Sequence, residues 1–181
     1  NSIDEVYETL VITALLVILF LYLFIGSWRI TIIPAITVPI SLIAAFIGAY
    51  IIGFSINLIT LLSLILAIGL VVDDAIVMVE NISYHLKKGE NVLVACWNGA
   101  REVGFAIVAT TVVLVMIFLP LIFIEGVMGS MFTEFALLLS FAVVFSSVVA
   151  LTLAPALSSI LLKTRFIKQP KGIVKYFDFF F

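Results

Sequence analysis

Two adjacent carboxylates, Asp73 and Asp74, sit inside an apolar run that reads Leu66-Ala67-Ile68-Gly69-Leu70-Val71-Val72-Asp73-Asp74-Ala75-Ile76-Val77-Met78-Val79. On insertion scales each acid at the centre of a membrane-spanning helix opposes insertion by about 2.5–3.5 kcal/mol. Leu at both positions would insert better, so the pair points to a function, and the chemistry open to it is carriage of protons or cations. On a helix of 100° per residue, Asp74 shares a stripe with Thr60, Ser63, Ala67 and Asn81, while Asp73 aligns with Gly69 and Glu80. Small and polar stripes of this kind face other helices and not lipid. Glu80 and Asn81, one to two turns further on, fit a hydrated helix end as well as a functional one.

Other chemistries for a buried acid pair fit less well. An intramembrane aspartyl protease needs two aspartates on different helices, whereas neighbours on one helix diverge by about 100°, and Gly-x-Gly-Asp is absent. A channel ring would need a re-entrant filter sequence, and none is present. A metal site would need more ligands at the same depth. Cys96 and His85 are each the one residue of their type; His85, between polar residues, reads as a solvated loop side chain. The sequence implies no disulfide framework, metal cluster or cofactor, and it does not read as an enzyme.

The elements that must position the pair are dictated by composition. Of 181 residues, 65% are hydrophobic and 11% charged, against about 25% charged in soluble domains, and the mean hydropathy is +1.39. So little polar surface cannot cover a soluble domain, so lipid is the solvent. Basic, aromatic-interleaved patches are missing outside the loops, which excludes a nucleic-acid partner. The expected fold is an all-α membrane protein, a bundle of five spanning helices over about 10–26, 34–52, 58–81, 103–124 and 131–162. Pro34 is expected in the first turn of the second span, and Gly53-Phe54-Ser55-Ile56-Asn57 turns the chain before the third. Residues 83–101 are polar enough to form a short amphipathic cytoplasmic helix or loop. Residues 163–181 form a basic, partly apolar segment that suits the inner leaflet or a cytoplasmic linker. The acidic start (Asp4, Glu5, Glu8) has no basic n-region, so the first apolar run is not a signal peptide. The chain opens at Asn1 without Met and reads as a piece of a longer protein.

Orientation follows from the cations. Arg29, then Lys87, Lys88 and Arg101, then Lys163, Arg165, Lys168, Lys171 and Lys175 fall in every second connection. The alternate connections hold Glu125, Glu134 and the acidic N-terminus. The positive-inside rule therefore puts the N-terminus outside and the C-terminus in the cytoplasm. Between Ile30 and Leu86, and between Glu102 and Leu162, there is no Lys or Arg at all. Any cation that meets Asp73 and Asp74 must come from helices outside this sequence.

Gly69-Leu70-Val71-Val72-Asp73-Asp74-Ala75-Ile76-Val77-Met78-Val79-Glu80-Asn81 resembles the fourth-helix signature of the resistance-nodulation-division (RND) efflux pumps, in their hydrophobe/amphiphile branch. The resemblance extends over nearly the whole chain. Ser2 to Leu10 resembles the end of the first periplasmic porter segment, so that 1–9 would belong to it. Tyr22-Leu23-Phe24, Ile33-Pro34 and Val38-Pro39 resemble the second and third helices. Phe118-Leu119-Pro120, Gly126 to Gly129, and Ala150-Leu151-Thr152-Leu153-Ala154-Pro155-Ala156-Leu157 resemble the fifth and sixth.

The resemblance implies helices two to six of one half of a pseudo-symmetric transporter domain, with Asp73 and Asp74 as the proton relay and the proton gradient as energy source. Their Lys and Arg partners would come from the missing C-terminal transmembrane half. It further implies a homotrimer in the bacterial inner membrane, working with a periplasmic adaptor and an outer-membrane channel to exchange hydrophobic or amphiphilic compounds for protons. The intact acid pair favours organic substrates over metals. Two alternatives stand beside this: a non-transporting transmembrane scaffold whose acids are structurally paired, and a relative that exports metal, lipid or protein. A basic residue opposite the acids in the full-length protein would separate transporter from scaffold.

The orientation has a direct test. Cysteines at Ser55 or Gly126 of the full-length protein should react with a membrane-impermeant thiol reagent added outside spheroplasts. Cysteines at Lys87 or Lys168 should react only after the membrane is opened, and the reverse pattern would overturn the assignment.

Overall fold

A backbone deprived of water must satisfy its own N–H and C=O groups, and a run this apolar does so most economically as helix. The computed structural model describes residues 2–25, 27–54 and 57–162. They form five long helices: α1 (Ser2–Ile25), α2 (Trp28–Ile52), α3 (Leu58–Lys87), α4 (Val92–Phe118) and α5 (Val127–Leu161). A short 3-10 turn, Leu119–Phe123, follows α4. Among the described residues there is no strand. Four stretches are long and apolar enough to cross a membrane: Trp28–Ile52, Leu58–Lys87, Val92–Phe123 and Met128–Leu161. In α1 the described apolar stretch is the shorter Val11–Phe20.

The helices outrun the apolar runs from which they are expected, for identifiable reasons. α1 starts at Ser2 and not near Leu10. α2 starts at Trp28, so Pro34 lies inside it together with Pro39, and not in the first turn. Each proline removes one N–H from the helix ladder; nearby, the Thr37 hydroxyl donates to the Pro34 carbonyl at 3.3 Å and Ser41 donates to the Thr37 carbonyl at 3.0 Å. The 83–101 stretch is not a separate helix: it is shared between the end of α3 and the start of α4, with a tight turn between them. Gly89 takes φ +90° there, a left-handed conformation that favours glycine. α4 stops at Phe118, just before Pro120. Residues 163–181 lie outside the described residues.

α3 packs against each of the other four long helices. Its entry is fixed by Asn57, whose side chain accepts from the N–H groups of Ile59 and Thr60, both at 2.9 Å, while Thr60 Oγ1 accepts from the Asn57 N–H at 2.8 Å. This reciprocal box satisfies donors that a helix start leaves orphaned. Asn57 also donates through Nδ2 to Glu134 Oε2 of α5 at 2.8 Å, tying the two helices at that end.

α3 and α5 pack closely because both present small residues. Ala67 and Ala75 of α3, and Ala136, Ala142, Ala150 and Ala154 of α5, are all but fully buried. In lipid, close approach of this kind replaces the hydrophobic drive that lipid cannot supply. The core divides in two: one cluster gathers Leu64, Ile68, Val71 and Val72 with Leu138 and Leu139, the other Met78, Val79, Ile82 and Leu86 with Ile33, Ile107 and Leu162. Along α3 the boundary between the clusters holds Asp73 and Asp74.

α4 comes close to α3 at Gly99. A Cβ there would lie 2.8 Å from Ile82 Cγ1 and 3.0 Å from the Ile82 backbone N and Cα. Because backbone cannot swing aside, Gly99→Ala should destabilise the full-length protein by about 1–3 kcal/mol, the usual cost of overpacking. Gly104→Ala, whose Cβ would meet only Leu151 Cδ2 at 3.5 Å, should be tolerated. Thermal unfolding of both variants in detergent checks this; equal midpoints would contradict it.

Candidate functional site: the carboxylates of α3

The two acids meet different surroundings. Asp74 is half-buried and turned toward α5, where Ser146 Oγ lies 3.2 Å from its Oδ2. The same hydroxyl lies 3.1 Å from the Val71 carbonyl. Ser146 is itself buried, so the single O–H sits between a fixed carbonyl acceptor and a carboxylate. Asp73, one residue earlier and about 100° around the helix, is exposed.

Helical phase explains the difference, and the stripes expected for α3 separate cleanly. On Asp74's stripe, Thr60, Ser63 and Ala67 are buried, and half-buried Asn81 donates to the Gly99 carbonyl of α4 at 3.1 Å. On Asp73's stripe, Gly69 and Glu80 are exposed with it, and so are Leu58, Leu62, Leu66, Val77, Tyr84 and Lys87. Among the described residues, one whole side of α3 is thus open from end to end, with a carboxylate in the middle of it.

An apolar stripe on a membrane helix suits lipid; an apolar stripe with Asp73 at its centre does not, given about 2.5–3.5 kcal/mol for a charge at mid-membrane. The runs that flank the pair in sequence contain no Lys or Arg. The arrangement can bind and release a proton at two adjacent carboxylates, one anchored by Ser146 and one facing outward. A cation would have to approach the outward one from beyond this bundle.

Ser146 and His85 are polar residues that sequence reasoning leaves unassigned or misplaces. Ser146 is 72 residues from Asp74 in sequence, and only the packing of α5 on α3 brings it near; among so many Ser and Thr in α5 nothing singles it out. His85 is not a solvated loop residue, as its polar neighbours suggest. It is 5% exposed, in the last turns of α3. It lies 11 residues past Asp74, close to three turns, and therefore on the same buried face. Helical phase is the signal that marks it.

The family model described as AcrB/AcrD/AcrF matches residues 1–181. Multidrug resistance protein MdtC of Yersinia enterocolitica is 48% identical over 171 residues, covering 94% of this chain and 16% of that protein. MdtC of Pectobacterium atrosepticum is 48% identical over 162 residues, 90% of this chain and again 16% of the relative. MdtC of Yersinia pseudotuberculosis is 47% identical over 171 residues, with 94% of this chain and 16% of the relative covered. The chain therefore spans about one sixth of the length of the curated relatives it matches.

Proposed function

Because this chain belongs to the AcrB/AcrD/AcrF family of RND transporters, we propose that it forms part of the membrane domain of a proton-driven exporter in which Asp73 and Asp74 carry the proton. The observation that carries this reading is the open stripe of α3, in which Asp73 sits between apolar Leu58, Leu62 and Leu66 on one side and Val77 on the other, before the stripe turns polar at Glu80. A carboxylate so placed needs either a proton or a cationic partner, and alternation between those two states is what proton coupling requires. The partner would come from the remainder of the full-length protein, laid against this face of α3. The names of the relatives refer to multidrug resistance, which supports hydrophobic or amphiphilic organic compounds as cargo.

Ser146 fits such a cycle. Its O–H can turn to Asp74 Oδ2 when that carboxylate is charged and to the Val71 carbonyl when it is neutral, since both lie within hydrogen-bond reach. The hydroxyl thus lets α3 and α5 stay in contact while the charge changes. Each proton that crosses 100 mV of membrane potential releases about 2.3 kcal/mol, enough to bias a conformational cycle if uptake and release face opposite sides. The charge pattern supports a cytoplasmic connection between α3 and α4 and a periplasmic Asn57–Glu134 end. Assembly as a trimer, with a periplasmic adaptor and an outer-membrane channel, belongs to the same proposal.

Replacing Asp73 or Asp74 with Asn in the full-length transporter should abolish drug export while expression and assembly persist. Asn preserves size and hydrogen bonding, cannot carry a proton, and removes a charge that opposes insertion. Export at the unsubstituted rate in both variants would refute the relay.

A further inference from the structure

At the basic end of the bundle, His85 is met at both of its ring nitrogens. Nδ1 lies 2.8 Å from Glu90 Oε1, in the connection between α3 and α4, and Nε2 lies 3.1 Å from Glu102 Oε2, on α4. The Nε2 contact is the looser of the two, close enough for an ion pair but short of good hydrogen-bond alignment. The carboxylates are themselves positioned: Asn98 Nδ2 donates to Glu90 Oε2 at 3.0 Å, and Asn81 Nδ2 donates to Glu102 Oε2 at 3.2 Å. Asn81 donates to the Gly99 carbonyl as well, beside the close contact of Gly99 with Ile82. α3 has 30 residues, about 45 Å at 1.5 Å each, against a hydrocarbon core of about 30 Å. With Asp74 near the middle of that core, His85 lies 11 residues further on, about 17 Å at 1.5 Å each, just past a half-thickness of about 15 Å.

Tyr84 meets the imidazole edge-on at a ring separation of 5.8 Å, and Lys88 Nζ lies 4.2 Å from the Tyr84 ring centre. From α2 and α5 the core at this end receives apolar side chains among the described residues: Ile30, Ile33, Ala154 and Leu162. The buried thiol of Cys96 on α4 completes that core.

A neutral imidazole has one N–H and one lone pair, whereas imidazolium has two N–H groups. An ionised carboxylate can only accept. Two carboxylates on two ring nitrogens therefore match the charged form alone. We propose that His85 is a pH-sensitive clamp, which as imidazolium grips Glu90 and Glu102 together and so fastens the end of α3 to α4, and which releases one of them on losing its proton. Nδ1 keeps the remaining hydrogen, because its contact with Glu90 is the shorter one. Nε2 then turns a lone pair on the Glu102 carboxylate, and Glu102, whose side chain is 57% exposed, swings out to water, taking its bond from Asn81 with it.

The electrostatics have the required sign. The hydrogen bond to Glu90, and then the Glu102 contact, raise the His85 pKa above its usual 6.5, and the same hydrogen bond from His85 lowers that of Glu90. A histidine whose folded pKa is raised contributes stability that is complete below its unfolded pKa and is lost as pH rises through the folded one. The clamp is therefore fully closed below about pH 6.5 and opens as pH rises through the higher folded pKa. A folded pKa one pH unit above the unfolded one corresponds to a tenfold change in the closing equilibrium.

Hydrogen exchange of the full-length transporter, read by mass spectrometry at pH 6.0 and 8.5 and corrected for the intrinsic chemical rate, tests this. Peptides covering 88–102 should lose protection at pH 8.5, by up to about tenfold for each pH unit that separates the folded and unfolded pKa of His85. Peptides from the middle of α5 should not change. His85→Gln, neutral at every pH, should give the low protection at both values. Glu102→Gln, which retains the imidazole, should show a smaller pH response than the unsubstituted protein. Protection over 88–102 that does not vary with pH in the unsubstituted protein overturns the clamp. So does a full pH response surviving in either variant. None of these readouts needs transport, so they report on His85 whether or not the relay assigned to Asp73 and Asp74 holds.

Discussion

Placing carboxylates in mid-membrane opposes insertion by several kcal/mol, and that constraint organises this bundle. The cost is divided between the two acids. Asp74 is turned inward onto Ser146, at the seam between two apolar clusters, where a hydroxyl can meet it. Asp73 is turned outward on a stripe that the five helices leave open. Adjacent positions on a helix cannot share one environment, and the pair uses that divergence: one acid is tied to the bundle, the other is available to something that covers it.

The same helix is fastened at both ends and left free along one side. At the Asn57 end the fastening is a capping box plus a bond to Glu134 of α5. At the basic end it is His85 between Glu90 and Glu102, beside the Gly99 contact. Between these ends α3 packs through small residues such as Ala67 and Ala75 together with large buried ones, among them Leu64, Ile68, Met78 and Ile82. The polar contacts at its ends, some of them on titratable groups, add to that apolar packing in fixing where α3 lies.

Much of this is legible in the sequence. The membrane class, the helical bundle and the family follow from composition and from the run around Asp73 and Asp74, since apolar length and intramembrane charge are strong signals. The separation of the Asp73 and Asp74 stripes follows from 100° per residue alone. Helix ends are less legible: hydropathy marks where the apolar run stops, not where the backbone ladder stops. That is why α2 begins at Trp28 and α3 continues to Lys87. The polar sequence neighbours of His85 suggest water, while its distance of three helical turns from Asp74 places it on the buried side. Ser146 depends on tertiary packing between α3 and α5, which no local pattern encodes.

The central claim is that protons bind and leave the acids of α3 during transport. Infrared difference spectroscopy of the full-length transporter, recorded against pH in the presence of cargo, measures it most directly through the carboxyl C=O stretch. The account predicts a pH-dependent carboxyl band that disappears when Asp73 and Asp74 are both replaced by Asn. A spectrum in which the doubly substituted protein keeps that band unchanged would contradict it.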